Sequence, residues 1–173
     1  AHGLLMDSIQ TDGMTPLDDP ALRQRLEDLQ TDYAHAIDDD RLEDWPGFFR
    51  EDGVYKIVTR ENFAAGLPMG ILYCNSRGMM SDRVLALRTA NIFEPHTYCH
   101  LLGRARFWRA ADGLVHGRTN FQVTRTMEDG QMDLFAVGRY LDRIDVSARA
   151  PLFQARQVVI ESRRIDVLLC YPL

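Results

Sequence analysis

LVHGRTNFQVTRTM, residues 114–127, alternates small or apolar side chains with polar ones from Val115 to Val123. The small and apolar members are Val115, Gly117, Thr119, Phe121 and Val123. The polar members between them are His116, Arg118, Asn120 and Gln122. Because successive side chains of a β-strand point to opposite faces of its sheet, this alternation predicts a long strand with one buried face.

More strands are predicted on both sides of this one. Glu128-Asp129-Gly130 predicts a hairpin turn into MDLFAVGRYLDRI, residues 132–144, and FQARQVVIES, residues 153–162, predicts a last strand. TYCHLLGRARFW, residues 97–108, alternates in the same way. Its predicted core face comprises Cys99, Leu101, Gly103, Ala105 and Phe107. Its predicted outer face comprises His100, Arg104 and Arg106.

The segment before these strands has a helical period. Asp19 and Pro20 predict a helix start, since Asp caps helices and Pro is tolerated in the first turn. The apolar stripe of that helix is Leu22, Leu26, Leu29, Tyr33 and Ile37. After the acidic run 38–40, Asp40 and Glu43 have the spacing of a capping box and predict a second, short helix.

A third helix is predicted from Ser76 to Thr89, with Met80, Val84 and Leu87 buried. Between the second and third helices, Glu51-Asp52-Gly53 predicts a turn into the strand VYKIVT, residues 54–59. Helices followed by long antiparallel strands predict an α+β fold in which the helices cover one face of a curved sheet. We expect a flexible arm over residues 1–19 and one domain over residues 20–173.

Composition excludes several classes of function. The formal net charge is −5 and the pI is about 5.5, which argues against a general affinity for nucleic acid or anionic membranes. The longest apolar run, residues 63–73, is too short to span a bilayer and is broken by Gly66, Pro68 and Gly70. An odd number of cysteines, at positions 74, 99 and 170, indicates a reduced protein, and we expect it in the cytoplasm.

EPHTYCH, residues 94–100, offers candidate metal ligands in Glu94, His96, Cys99 and His100. On a helix, the two histidines would be neighbours and could share a zinc ion. On a strand, four residues span about 13 Å, which is too far for a single metal. The alternation that follows favours a strand, so we expect His96 and His100 to lie at a polar rim or a subunit contact.

Other polar residues have a structural and a functional interpretation. Asp38, Asp39 and Asp40 could supply a general base, but we favour a solvated helix end. His35 lies at the edge of the apolar stripe and is expected to be half-buried. The arginines of GRARFWR, residues 103–109, and ESRRID, residues 161–166, predict a solvated strand face or an ion-pairing interface. The sequence has no dinucleotide-binding, P-loop, nucleophile-elbow or zinc-protease motif.

Five longer segments form a pattern across the chain. They are YAHAIDDDRLEDWPGFFREDGVYKI (33–57), SDRVLALRTANIFEPHTYCHLLGRARF (81–107), FQVTRTM (121–127), LFAVGRYLDRI (134–144) and QARQVVIES (154–162). In content and order they resemble the small (β) subunit of Rieske-type aromatic ring-hydroxylating oxygenases. Trp45, the pair Asp82-Arg83 and the RYLDRI phrase strengthen the resemblance, which covers residues 20–173. The ending YPL is most similar to the branch acting on salicylate, terephthalate, anthranilate or benzoate.

This resemblance implies a nuclear transport factor 2-like cone, with a curved antiparallel sheet packed on amino-terminal helices. It also implies a complex of three catalytic α chains on a trimer of β chains. The α chain would hold the Rieske 2Fe-2S cluster and the mononuclear Fe(II), and NADH would supply electrons through a reductase, with or without a ferredoxin. The sequence lacks the paired C-x-H and C-x-x-H segments of a Rieske site. The family places no catalytic residue on this subunit, and we assign no catalytic, cofactor-binding or metal-binding residue to this chain.

Two alternatives remain open at the level of sequence. The same cone fold hosts stand-alone isomerases and dehydratases, and fold alone does not decide function. In that case Asp38 would be the base, with Tyr33, Tyr55, His35 or His100 as hydrogen-bond donors in a polar-lined pocket. The other alternative is a non-catalytic binding or assembly module outside the oxygenases.

Overall fold

The computed structural model describes residues 13–66, 70–90, 94–161 and 172–173. The α-helices are α1 (Pro20–Asp38), α2 (Arg60–Ala64) and α3 (Arg77–Ala90), and a 3₁₀ helix occupies Leu42–Phe48. The strands are β1 (Thr15–Pro16), β2 (Phe49–Thr59), β3 (Leu72–Cys74), β4 (His96–Leu102), β5 (Arg106–Arg109), β6 (Val115–Met127), β7 (Met132–Asp145) and β8 (Leu152–Ile160). No helix within the described ranges is long and apolar enough to cross a bilayer.

The helix α1 begins where the sequence predicts. A side-chain oxygen of Asp19 accepts a hydrogen bond from the Leu22 backbone N–H at 3.0 Å, and Pro20 opens the first turn. All five residues of the predicted stripe are buried, which places this face of α1 on the sheet. In α3, Met80 and Val84 are buried as predicted, while Leu87 packs against the core with partial exposure.

The eight strands form one curved, unclosed sheet in the order β1-β5-β6-β7-β8-β2-β3, and β4 pairs with β6 beyond the end of β5. All neighbouring strands are antiparallel except β2 and β8, which run parallel. The strand β6 is central, since β4, β5 and β7 all pair with it. Its five predicted inner residues are all buried, which confirms the predicted facing of residues 115–123.

The facing predicted for β4 is wrong. His100 is buried, whereas Cys99 and Leu101 are exposed, the reverse of the sequence prediction. The cause is an extra residue between β4 and β5: Leu102 pairs with Phe121 and Arg106 pairs with Arg118. Four steps on one side therefore oppose three on the other, which is a β-bulge, and it inverts the alternation between the two strands.

Beyond the bulge, Ala105 and Phe107 are buried and Arg104 and Arg106 are exposed, as predicted. Gly103, which we had placed on the core face, is exposed at the bulge itself. Its backbone N–H still donates to the Asn120 carbonyl oxygen at 2.7 Å, so the sheet stays continuous there.

Two local predictions around β2 are also wrong. Asp40 does not cap a helix: it adopts a left-handed backbone with φ of 57°, and the 3₁₀ helix begins after Arg41 without a side-chain cap. The segment Glu51-Asp52-Gly53 is not a turn but part of β2, where the register with β8 shifts between Phe49 and Val54. In both places the polar residues coincide with a backbone irregularity. It is a left-handed residue at Asp40 in place of a helix cap, and a register shift in β2 in place of a turn.

Part of the segment that we assigned to an amino-terminal arm lies on the domain. Thr15 and Pro16 pair with Arg109 and Trp108 of β5, and Leu17 is buried. Residues 1–12 of that arm lie outside the described residues, as do Cys170 and the two arginines at 163 and 164 of the ESRRID stretch.

Candidate functional site

The interior of the cone is packed with aromatic side chains around Tyr33. Its ring makes edge-to-face contacts with the rings of Phe48, Phe49, Tyr140 and Phe153 at centroid distances from 5.6 to 6.3 Å. Such contacts stabilise aromatic pairs beyond the burial of their area. This arrangement fills the space in which a cone-fold enzyme would need a cavity.

Residue Leu173 closes this interior. The hydroxyls of Tyr33 and Tyr55 both donate to its carbonyl oxygen, at 2.9 and 3.1 Å, and its N–H donates to the Tyr55 oxygen at 2.8 Å. The indole of Trp45 donates to the Tyr33 oxygen at 3.1 Å. Burial raises the pKa of both tyrosines, so they stay protonated near neutral pH. These hydroxyls therefore serve to hold the backbone of Leu173.

A buried ion pair lies beside the aromatic cluster. Arg156 donates from Nε and Nη2 to the two carboxylate oxygens of Asp142 at 2.8 and 2.9 Å, and both side chains are fully buried. Gln30 bonds to both partners. The guanidinium carbon lies 3.8 to 4.3 Å from the ring centroids of Tyr140, Phe153 and Tyr33. Burial alone would lower the pKa of Arg156, but the Asp142 carboxylate more than offsets this effect, so the pKa of Arg156 is raised.

The second polar feature of the interior joins Asp38, the last residue of α1, to His100 of β4. One carboxylate oxygen lies 2.5 Å from His100 Nδ1, and the other accepts the His100 backbone N–H at 2.8 Å. The imidazole is fully buried, and its Nε2 has no hydrogen-bond partner in the described part of the chain. A carboxylate that holds one ring nitrogen fixes the orientation of the imidazole.

Asp38 was the general base of the stand-alone enzyme hypothesis, and we had favoured a solvated helix end for it. Neither interpretation is complete, because its carboxylate is largely buried and bound to His100. Of the four donors proposed for Asp38, the structure brings only His100 to it: Tyr33 and Tyr55 bind Leu173, and His35 is exposed rather than half-buried. Among the described residues, the donors that the enzyme hypothesis assigned to Asp38 are therefore not gathered around its carboxylate.

The stretch at residues 94–100 forms a strand from His96 onward, as predicted. His96 and His100 therefore lie about 13 Å apart along β4. Cys99 points to the opposite face of the sheet and is a free thiol, as is the buried Cys74. Within the described residues, no three His, Cys, Asp or Glu side chains are close enough to hold a metal ion. These residues do not fit a Rieske cluster or a mononuclear iron.

We use the name outer sheet face for the side of strands β4 to β7 that faces away from α1. It presents four large apolar side chains, with exposed fractions of 57% for Leu101, 69% for Met132, 61% for Leu134 and 37% for Val137. Cross-strand pairing aligns Leu101, Gln122 and Val137 in one row. Grouped exposed apolar residues of this kind are typical of protein interaction surfaces.

Arginines lie next to this apolar strip. A surface depression of about 400 Å³ is lined by Gly103, Arg104, Arg106, Trp108, Arg118 and Asn120. A second depression, of about 370 Å³, shares Gly103, Arg118 and Asn120 with it and extends to Leu101 and Val137 and to the ion pair of Arg139 and Glu161. The outer sheet face therefore joins an apolar half to a cationic half. The sequence predicts the arginines but not the apolar half, because its alternation places Leu101 in the core.

Comparisons with known proteins agree with this picture. A family model described as the ring hydroxylating beta subunit matches residues 32–167. The chain is 37% identical over 145 residues to the anthranilate 1,2-dioxygenase small subunit of Burkholderia cepacia, covering 84% of this chain and 90% of that protein. It is 38% identical over 141 residues to the terephthalate 1,2-dioxygenase terminal oxygenase component subunit beta 1 of a Comamonas species, covering 82% and 92%.

Solved structures support the same fold. The beta subunit assigned to an aromatic-ring-hydroxylating dioxygenase of Novosphingobium aromaticivorans superposes with a TM-score of 0.81 at 36% identity, covering 88% of this chain and 97% of that one. A scytalone dehydratase-like protein of the same organism superposes with a TM-score of 0.63 at 13% identity, covering 82% and 85%. The second likeness concerns the fold alone, which is the nuclear transport factor 2-like cone that the family resemblance implied.

Proposed function

The chain belongs to the ring hydroxylating beta subunit family, and from this premise we propose that it is the non-iron-binding small subunit of an oxygenase that hydroxylates an aromatic acid. Beta subunits of this family pair with α subunits and are parts of dioxygenases, which are oxidoreductases. The observation that carries the proposal is the family match over residues 32–167. The complex would act in the catabolism of aromatic compounds.

An aromatic acid is the substrate class that we infer. The relatives at 37% and 38% identity are named for anthranilate and terephthalate, both of which carry a carboxylate on an aromatic ring. The choice of acid, and whether one or two oxygen atoms enter the ring, would be made in the pocket of the α subunit. The proposal therefore covers salicylate-type monooxygenation as well as terephthalate-type dioxygenation.

We infer a hetero-hexamer of three α and three β chains, with the β chains forming a trimer of their own. The Rieske 2Fe-2S cluster and the mononuclear Fe(II) would reside in the α chain, with NADH delivering electrons through a reductase and, in some systems, a ferredoxin. The cytoplasm is the compartment that fits the free thiols of Cys74 and Cys99. We continue to assign no catalytic, cofactor or metal residue to the domain that begins near residue 20.

The contribution of this chain would then be assembly. Its interior is occupied by the Tyr33 cluster and the Arg156–Asp142 pair, so the features available to a partner lie on its surface. The outer sheet face offers both apolar area and charge, which are the usual components of a specific interface. Family membership is enough to explain the cone fold, so the fold does not require the stand-alone enzyme hypothesis. The tyrosine donors of that hypothesis are bound to Leu173.

Co-purification tests this proposal directly. The tagged chain, expressed with its neighbouring genes in the native source, is expected to bring down an equal amount of a larger chain in a red-brown complex that contains iron. Native mass measurement and iron analysis of that complex give the stoichiometry. A colourless homodimer without an iron-bearing partner would contradict the proposal, as would turnover of a substrate by the purified chain alone.

A further inference from the structure

We propose that a trough on the outer side of strands β6, β7, β8 and β2 binds a small organic anion, namely a carboxylate carried on a compact apolar body. The trough has a volume of about 580 Å³, which makes it larger than either depression near the β4–β5 bulge. This inference does not rest on the proposed function, because the ligand is identified from the side chains that line the trough.

Two rows of side chains form the floor of the trough, and the pairing of the strands aligns them. The first row crosses all four strands and consists of His116, Arg143, Ala155 and Val54. The second row lies two residues further along each strand and consists of Leu141, Gln157 and Lys56. The two cations Lys56 and Arg143 therefore stand on different strands, with small and apolar side chains between them.

These two cations have no acidic partner of their own. Within the described residues neither Lys56 nor Arg143 forms an ion pair or a side-chain hydrogen bond. By contrast, Arg139, on the same strand as Arg143, binds Glu161 at 2.6 Å. A guanidinium donates two parallel charge-assisted hydrogen bonds to one carboxylate, and a nearby ammonium adds a further donor. The trough thus offers an anion two unused cationic groups.

The other charged residues at the trough already have partners. Asp142 and Arg156 also line it, but their side chains are fully buried and bind each other. His116 stands opposite Arg143 in the first row, and its Nε2 lies 3.8 Å from a carboxylate oxygen of Asp112. Among the described residues that line the trough, no carboxylate is left for the two cations. The trough is therefore positive on a chain whose net charge is −5.

Apolar side chains line much of the rest of the trough. They come from α2, from the residue before β1, and from the outer side of β7 and β2, and they are Phe63, Met14, Leu141 and Val54. All four are half-buried, so each keeps apolar surface that a ligand can remove from water. An inorganic anion would reach the cations but leave this surface wet. An organic carboxylate satisfies both, and apolar walls with a few polar groups are typical of sites for small ligands.

Isothermal titration of the purified full chain with benzoate measures this binding. Inorganic phosphate, which lacks the apolar body, and benzyl alcohol, which lacks the charge, are the comparison probes. We expect one benzoate per chain with a Kd of about 1 mM or tighter, and binding at least about 10-fold weaker for the other two probes. In Lys56→Gln/Arg143→Gln the Kd for benzoate should rise at least about 10-fold, because the charge-assisted hydrogen bonds are lost.

Two further variants distinguish a site from general electrostatic attraction. Arg25→Gln/Arg41→Gln removes the same charge from exposed positions outside the trough and should leave the Kd for benzoate unchanged. Ala155→Leu changes no charge but fills the floor beside Arg143, so it should also raise that Kd at least about 10-fold. Circular dichroism shows whether each variant is folded, and either trough variant is sufficient for the test if the other does not fold.

Loss of benzoate binding in the folded trough variants, with binding retained in Arg25→Gln/Arg41→Gln, supports the inference. A wild-type chain that does not bind benzoate at about 10 mM would overturn it. So would phosphate or benzyl alcohol that binds as tightly as benzoate, or a benzoate Kd that the trough variants leave unchanged. Failure of this test leaves the proposed function standing, whereas benzoate binding by a chain that has no iron-bearing partner would contradict only the proposed function.

Discussion

Phe121 is a residue on which the core of the cone depends. Its ring stacks on that of Tyr140 with centroids 4.4 Å apart, and it is buried in the centre of β6. Phe121→Ala should lower the free energy of unfolding by about 3 to 5 kcal/mol, because the sheet cannot collapse into the cavity. Urea denaturation of the purified chain measures this loss.

Leu85→Ala is the matched control for Phe121→Ala. Leu85 lies on α3 with 63% of its surface exposed, so its truncation should change the free energy of unfolding by less than about 0.5 kcal/mol. A loss below about 1 kcal/mol for Phe121→Ala would mean that β6 does not face the core as described.

Glu43 owes most of its acidity to one arginine. Arg88 donates from Nε and Nη2 to the two carboxylate oxygens of Glu43 at 2.7 and 3.0 Å. These bonds, with a smaller contribution from a backbone hydrogen bond of Glu43 itself, lower the pKa of Glu43 from 4.5 to about 2. The unfolded chain therefore binds more protons than the folded chain between these two values. Stability from this contact is fully present above pH 4.5 and is lost as the pH falls toward 2.

Arg88→Gln should return the pKa of Glu43 toward its ordinary value of 4.5, as followed by NMR titration of the Glu43 side chain. Arg41→Gln is the control, since Arg41 pairs with Asp39 and Asp44 but not with Glu43. A Glu43 pKa that stays near 2 in Arg88→Gln would show that another group lowers it.

At the scale of elements, Asp38 and His100 tie the end of α1 to β4. Asp38→Ala would leave both the backbone N–H and Nδ1 of His100 without their acceptor in a buried place. The expected loss in the free energy of unfolding is about 1 to 3 kcal/mol. Asp39→Ala is the control, because Asp39 is the next residue and its side chain is 65% exposed, so the loss in the free energy of unfolding should be much smaller. Equal losses for the two variants in thermal or urea unfolding would contradict a specific contact between Asp38 and His100.

The longer helices and strands could be predicted from the sequence, but the short elements β1, α2 and β3 and the facing of β4 could not. Periodicity identifies a strand and its two faces, and it assigned β6 correctly because that strand is regular over its inner positions. One extra residue near Gly103 inverts the alternation between β4 and β5. Nothing in the sequence of residues 103–106, GRAR, distinguishes a bulge from a continuous strand. The exposure of Leu101 and the burial of His100 both follow from that single residue.

Polar residues at element ends were harder to interpret than apolar periodicity. Asp19 caps α1 as predicted, because its partner is the local backbone. Asp40 and Glu43 have the spacing of a capping box, yet both bind Arg88, which lies 45 or more positions away in sequence. A partner that distant leaves no local signal, so neither this contact nor the Asp38–His100 pair could be predicted from spacing.

At the scale of the whole molecule, the two sides of the sheet differ in character. The helices and the aromatic cluster fill the concave side of the sheet, and the convex side carries the exposed apolar residues and the arginines. The family resemblance supplied the overall shape and the class of partner, which no single motif in the chain indicates. The charge pattern of the outer sheet face depends on which strands are neighbours, and the sequence does not specify that pairing.

The last prediction concerns iron in the assembled complex. His96→Ala and His100→Ala should leave the iron content per large subunit equal to that of wild type, since β4 holds these side chains about 13 Å apart. His100→Ala removes the partner of Asp38 and can lower the yield of complex, so iron is measured per mole of purified complex. Cys99→Ser, on the opposite face of the same strand, is the control. A fall in iron with either histidine variant but not with Cys99→Ser would mean that this chain supplies a ligand, and that its strand geometry changes on assembly.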